Sequence, residues 1–302
     1  MTINNNISVL PFYTNINEQN HRKSYAYGAV YPLFSQAGML LPFQMIRPHR
    51  IGNPTSIVLY KKDGTFLYEL LNAMSEAGLQ IIPFETLGYD VIIYPAIFPL
   101  SYGINQQGVE EPLSMMDGQY YLRMIDMGIP YYSEVFTVVQ HISSYLKIEW
   151  YNDEDLVFDG GRFVFNNPRF HNYLYFATEV GKPEYTFEEE GENRDGFFFP
   201  EKQLSEKRYK CTILAPEYLC DVMRLIRMCD HVRITDKYGR IYDCDQFLVT
   251  PEWQDQGDLA SVEIEFETDT VVKKIGKGYS VPSSGADFNG DYNDDYLITI
   301  NN

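Results

Sequence analysis

The chain has 302 residues, enough for about two domains. Its 24 Lys and Arg stand against 42 Asp and Glu, a formal charge of −18, which opposes phosphate-backbone binding because counterion release needs clustered cations. With 25 Tyr and 19 Phe, the composition favours β structure, where aromatic side chains suit a half-buried pleated surface.

In chain order, residues 1–36 are Asn-rich and interrupted by Pro11 and Pro32. They are expected to form an extended N-terminal arm that orders only on a neighbour. MTINNNISVLPFYTN has neither a basic n-region nor a continuous apolar core, so no signal peptide is expected. From about residue 37 to 143, short strand-like runs appear at Met39–Ile46, Thr55–Tyr60, Thr65–Leu70, Tyr89–Tyr94, Gln119–Ile125 and Tyr131–Val138. Lys62-Asp63-Gly64 and Asp126-Met127-Gly128 carry hairpin chemistry. This spacing predicts a β-sandwich of the immunoglobulin or fibronectin size. Half of Tyr120, Tyr121, Tyr131 and Tyr132 should face its core.

Residues 144–276 read as a second, β-rich α+β domain. Leu146, Ile148 and Trp150 alternate with Lys147 and Glu149, the period of a half-buried strand. Tyr173–Val180 and Arg208–Leu214 are further strand candidates. One clear helix follows, with Pro216 at its start, Glu217 in its first turn and Leu219, Val222, Met223 and Ile226 on one face. HVRITDKYGRIYDCDQFLVT predicts a hairpin turning at Asp236–Gly239. The last strand places Val262, Ile264 and Phe266 on a buried face and Glu263, Glu265 and Glu267 on a solvated, acidic one. Residues 277–302 are Gly-, Ser-, Asn- and Asp-rich, as a flexible acidic tail would be, though Tyr296 to Ile300 could add as a strand to a neighbouring sheet.

Catalytic patterns do not emerge. The five histidines are scattered, and no H-E-x-x-H, G-x-S-x-G, Walker A or G-x-G-x-x-G pattern occurs. The four cysteines form no C-x-x-C pair and read as free buried thiols. Asp287, Asn289, Asp291, Asn293, Asp294 and Asp295 have alternating oxygen ligands, but an EF-hand needs Gly where Tyr292 stands and Glu where Ile298 stands. Neither metal nor cofactor is expected. No apolar run approaches the roughly 20 residues of a membrane span.

One block points to assembly instead. Six carboxylates lie between Glu184 and Asp195 (Glu184, Glu188, Glu189, Glu190, Glu192 and Asp195), followed at once by Phe197, Phe198 and Phe199. In Glu188-Glu189-Glu190 a solvated charge run outweighs a catalytic dyad. Strand alternation cannot hide all three phenylalanines, so a partner interface is expected from Phe197, Phe198, Phe199, Glu188, Glu189 and Glu190, with Tyr296 and Ile298 as a second contact.

The segments GKPEYTFEEEGENRDGFFFPEKQLSEKRYKCTILAPEYLCDVMRLI and TPEWQDQGDLASVEIEFETDTVVKKIG resemble a recurrent module in virion proteins of tailed bacteriophages infecting gut Bacteroidetes, including the crAss-like phages. Weaker likeness extends through YYLRMIDMGIPYYSEVFTVV and YLKIEWYN, covering roughly residues 118 to 276. The resemblance implies a structural part of the tail, collar or baseplate and brings no functional residues with it. The resulting expectation is a non-enzymatic virion protein, a homo-oligomeric ring subunit that contacts other tail, collar or portal-proximal proteins. The alternative is a tail fibre or carbohydrate-binding component using tyrosines or Trp150 and Trp253.

Overall fold

The computed structural model describes residues 8–14, 33–49, 52–84, 86, 88–153, 156–158, 163–165, 171–253 and 259–274. The protein is mainly β, with several sheets and the one clear helix that the sequence pattern anticipates, Glu217–Met223, besides a shorter one at Leu71–Glu76 that it does not. A nine-stranded sheet runs through Phe12–Tyr13, Ile129–Ser133, Gly118–Asp126, Ser56–Lys61, Phe66–Glu69, Tyr102–Ile104 and Glu110–Pro112. Phe136–Val139 also pairs with Gly118–Asp126, and Phe34–Gln36 adds to it in parallel. A three-stranded sheet of Phe43–Pro48, Tyr89–Tyr94 and Gln80–Phe84 shares its core. Ile57, Leu59, Leu122 and Met124 from the first sheet and Met45, Val91 and Ile93 from the second are all fully buried in one cluster.

The expected hairpins form where their turn chemistry sits. Met127 and Gly128 both hold positive φ between Gly118–Asp126 and Ile129–Ser133, the backbone of a two-residue turn that follows strand twist. Alternation puts Tyr120 and Tyr131 in the main core, but Tyr121 is buried too. It lies on the opposite face against Val135, with its ring stacked 5.3 Å from that of Tyr60. The expected single run Tyr131–Val138 is broken at Glu134 and Val135, where the hydroxyl of Ser133 accepts the Leu122 N–H at 2.8 Å.

The N-terminal arm needs correction. Val9, Leu10, Phe12 and Leu33 are buried in the core of this same chain. Phe12 meets Phe43 edge-on with ring centroids 4.8 Å apart. The Glu134 N–H donates to the Pro11 carbonyl and the Thr137 N–H to that of Leu33. The apolar stretch Val9–Tyr13 buries enough surface to hold against its own sheet, so these residues need no neighbour to order. Residues 1–7 and 15–32 lie outside the described residues, as does the whole acidic tail.

Beyond the Ile142–Ser144 turn, a four-stranded sheet follows the order Asn172–Phe176, Leu146–Tyr151, His231–Thr235 and Ile241–Asp243. Its inner face carries Leu146, Ile148, Trp150, Leu174 and Phe176, all buried. Another four-stranded sheet runs Glu184–Arg194, Phe197–Pro216, Leu259–Lys274 and Gln246–Trp253. The Glu217–Met223 helix packs Leu219, Val222 and Met223 into the core, and Ile226 follows from the next turn. One hydrophobic cluster is continuous from Val9 to Phe266.

The closing strand Leu259–Lys274 behaves as its pattern predicts on one face only. Val262, Ile264 and Phe266 are fully buried. Its carboxylates are less solvated than expected, because Arg208 and Lys210 of the neighbouring strand form an ion-pair ladder across them. Arg208 reaches Glu267 at 2.5 Å and Glu265 at 3.2 Å, and Lys210 reaches Glu265 at 2.9 Å. Glu267 is buried beneath that ladder.

Candidate functional site

Two surfaces stand out. The first is the hairpin that carries the expected interface residues. Glu184–Arg194 pairs antiparallel with Phe197–Pro216 and turns through Asp195 and Gly196, whose φ values are 50° and 85°. Positive φ at both central positions suits an Asp-Gly pair. Glu201 bulges out of the ladder, since Glu190 pairs with Lys202 while Gly191 pairs with Pro200. Pro200 has no N–H to give, and bulges are where strands tolerate proline.

The second strand of this hairpin has 20 residues, roughly 65 Å of extended chain. Only its C-terminal part, from Tyr209, is packed: Tyr209, Cys211, Ile213 and Ala215 alternate into the core. Before it, residues 202–208 are half-buried between their two neighbouring strands, and none of residues 184–193 on the edge strand is buried. The hairpin is therefore a projecting arm with both faces in solvent.

Cross-strand register sorts the arm's side chains. Tyr185 lies opposite Lys207, Phe187 opposite Ser205, and Phe198 opposite Asn193, which shares the face of Tyr185 and Phe187 by alternation. Val271 continues that face on the third strand, opposite Ser205. Tyr185, Phe187, Phe198 and Val271 are 71%, 63%, 45% and 64% exposed. The other face carries Glu184, Glu188, Glu190 and Glu192, with Phe197 near the tip, also exposed. Lys202 answers Glu190 at 3.6 Å, and Gln203 donates to Glu189 at 2.6 Å. Glu206, beside Glu267, has its carboxyl raised by partial burial and by that neighbouring charge.

The structure thus brings Phe197 and Phe198 together with Glu188, Glu189 and Glu190 on one arm. The Phe199 side chain, Tyr296 and Ile298 lie outside the described residues. Tyr185 and Phe187, hidden among glutamates, escape a reading of the sequence as a charge run. The Asp195-Gly196 pair was the signal that the run is one strand of a hairpin.

The second surface is a cleft of about 480 Å³ between the four-stranded sheet bearing Trp150 and the segment after Tyr89–Tyr94. Lys147 pairs with Tyr175 and Glu149 with Tyr173 in the sheet, so all four side chains share its outer face. The Tyr173 hydroxyl is buried and shares its proton between the carbonyls of Leu40 at 2.9 Å and Ala96 at 3.1 Å. Ala96 is a non-glycine residue at φ 47°, a left-handed conformation that persists only when its surroundings fix it. That turn presents Phe98 at the mouth of the cleft, 64% exposed.

Glu149 accepts from Lys147 Nζ at 2.9 Å and from His171 Nδ1 at 2.8 Å. Burial alone would raise its carboxyl, but these hydrogen bonds and the charges behind them outweigh burial and hold it at about 2. Glu149 is therefore ionised and can only accept in its contacts with Lys147 and His171. Tyr151 fixes the imidazole plane by stacking 4.1 Å from it. Lys147 also sits 5.0 Å over the ring of Tyr173. Burial pushes the Tyr175 phenol to about 12. Nothing in the sequence pattern pairs Lys147 and Glu149 with Tyr173 and Tyr175, because the register between their strands is set by tertiary packing.

No family model matches the chain. No curated protein matches it either. Among solved structures, one described as the crystal structure of Dpr2 Ig1-Ig2 in complex with DIP-Theta Ig1-Ig3 aligns at 7% identity and a TM-score of 0.13, over 80% of this chain and 88% of that one. Of the two tryptophans, Trp150 is 1% exposed in the core, whereas Trp253 lines a shallow groove with Glu217, Asp221 and Arg224. No helix among the described residues is long and apolar enough to cross a membrane.

Proposed function

We propose that this protein is a non-enzymatic assembly subunit whose projecting hairpin is covered by a neighbouring subunit. The observation that carries this reading is the burial pattern of residues 184–193, none of them buried, although Tyr185 and Phe187 are among them. A strand with both faces in solvent gains nothing from displaying aromatic rings unless a partner removes them from water. Its outer edge also offers an unpaired row of backbone groups, the usual template for a strand from another chain.

Taken with the resemblance to tailed-phage virion proteins, this supports a ring subunit of the tail, collar or baseplate. Rings are built from heterologous contacts in which each copy gives one surface and receives another. An arm roughly 40 Å long suits the giving role. Its neighbours would be further copies of this chain and adjoining tail or collar proteins within the virion.

Mass spectrometry of purified particles tests the placement, with several copies per virion expected and absence from intact particles refuting it. Sedimentation of the purified full chain tests the arm. The wild type should form oligomers that a Tyr185→Ser, Phe187→Ser double substitution disperses. Oligomers of unchanged size in the double variant would refute the role given to the arm.

A further inference from the structure

The geometry points to the cleft between Phe98 and the Lys147–Glu149 pair as a binding site for a neutral sugar ring, a function separate from assembly and independent of it. Four observations lead there. The cleft's volume of about 480 Å³ lies within the range of small-molecule sites. Its polar groups are a matched set. Glu149 stands between Lys147 Nζ at 2.9 Å and His171 Nδ1 at 2.8 Å, so donors and an acceptor are fixed side by side. A vicinal diol fits such a pair, since one hydroxyl donates to the carboxylate while the next accepts from the ammonium.

The apolar walls complete the match. Phe98 is 64% exposed at the rim and Tyr175 forms a side of the cleft, so aromatic faces are available to the C–H face of a pyranose. Phe98 is also held in place and not merely exposed. The buried Tyr173 hydroxyl clamps the carbonyl of Ala96 at φ 47° two residues earlier, which pre-organises the ring before any ligand arrives.

Other ligand classes fit less well. A phosphate would meet an ammonium and an imidazole both already engaged by the Glu149 carboxylate, on a chain of charge −18. An extended peptide needs backbone partners along a strand edge, and this cleft lies on a sheet face.

Saturation-transfer NMR on the full chain tests the site. The probes are the methyl glycosides of glucose, galactose, mannose and N-acetylglucosamine, with inorganic phosphate and trialanine as the competing classes, each at about 10 mM. At least one glycoside should receive saturation, and Phe98→Ala and Glu149→Gln should each weaken its binding by about tenfold, while Phe198→Ser, which does not line the cleft, leaves it unchanged. Hydrogen exchange of the unmodified chain should show the same glycoside slowing amides at residues 95–98 and 171–175, which keeps the test decisive if a variant misfolds. The inference fails if no glycoside binds, if binding survives both cleft substitutions, if exchange slows elsewhere instead, or if phosphate or trialanine takes the cleft in place of the sugars.

Discussion

Arg47 and Asp126 join two sheets through a buried ion pair. Arg47, on Phe43–Pro48, sends Nη1 to Asp126 Oδ1 at 2.5 Å, at the end of Gly118–Asp126, while its Nε reaches Asp90 at 3.2 Å on the adjacent strand. Its remaining nitrogen donates to the Gly52 carbonyl at 2.6 Å. One guanidinium thus serves two carboxylates where all three side chains are almost wholly buried. Arg47→Met would remove the guanidinium from both carboxylates, although Asp90 keeps its contact with His49 Nδ1 at 2.6 Å, and breaking a buried pair this way costs about 3–5 kcal/mol. Asp126→Asn should cost less, because an amide oxygen still accepts from Nη1. Urea unfolding of the two variants checks the order, and equal losses would contradict it.

The N-terminal segment should matter to the fold of the isolated chain. Leu10 is fully buried and Phe12 nearly so. Leu10→Ala is expected to cost about 2–5 kcal/mol, the range for a leucine removed from a packed core. Deleting residues 1–36 should therefore lower the melting temperature sharply in the monomer. A truncated chain that unfolds with the cooperativity and midpoint of the full one would return this segment to the role of an arm.

Glu149 gives a signed pH dependence. Its carboxyl is held at about 2, against an ordinary value of 4.5. A group depressed on folding adds stability that is complete above its unfolded value and lost as pH falls through its folded one. The wild type should lose stability between about pH 4.5 and 2, by an amount on the order of 3 kcal/mol from this group. Glu149→Gln should be less stable at neutral pH and show a shallower acid limb over that window. Chemical unfolding across the pH series measures both, and parallel curves would exclude the ionised carboxylate as a source of stability.

The four thiols are free, with Cys211 buried and the others half-buried. Burial pushes Cys211, Cys229 and Cys244 to about 12 and Cys220 to about 11. Since the thiolate is the reactive form, native protein at about pH 8 should react sluggishly with a disulfide reagent. Cys220, which borders the Trp253 groove, should go first. Unfolding in denaturant should release all four at once. Rapid native labelling at Cys211 would show that its side of the sheet opens.

Much of the fold was legible because local pattern and tertiary burial agree. Val262, Ile264 and Phe266, or Leu219, Val222, Met223 and Ile226, announce their buried faces by period alone. The places where the sequence misleads share one cause: what fixes the structure is a partner distant along the chain. Val9–Tyr13 sits among asparagines and looks too short to matter until its pairing with Ile129–Ser133 is known. Arg47 finds its carboxylates 43 and 79 positions away. Glu184–Arg194 is poor in strand-forming residues overall, and glutamate is depleted in strands. It is extended because Phe197–Pro216 supplies its whole ladder. The cleft was invisible for the same reason, its Lys147 and Glu149 being read as a solvated face until the segment presenting Phe98 closed over them.

Phe198 and Phe187 give the sharpest test of the arm. Both lie on its aromatic face, where Glu189 is the one glutamate of the strand, while Glu184, Glu188, Glu190 and Glu192 lie on the other. Because each is already exposed, Phe198→Ser or Phe187→Ser should hardly move the melting temperature of the monomer. Aromatic anchors buried at an interface commonly cost on the order of 2 kcal/mol or more when truncated, so each change should weaken assembly measurably while the fold persists. Charge supplies an independent check. Copies of a chain at −18 repel one another, and salt screens that repulsion over about 10 Å at 0.1 M. Raising ionic strength should therefore strengthen self-association through an apolar contact. It would weaken docking onto a basic partner held by the glutamate face. Sedimentation of wild type and both variants at low and high salt separates these outcomes. A large fall in melting temperature for Phe198→Ser would instead place that ring in the chain's own core and leave the partner surface to be sought elsewhere.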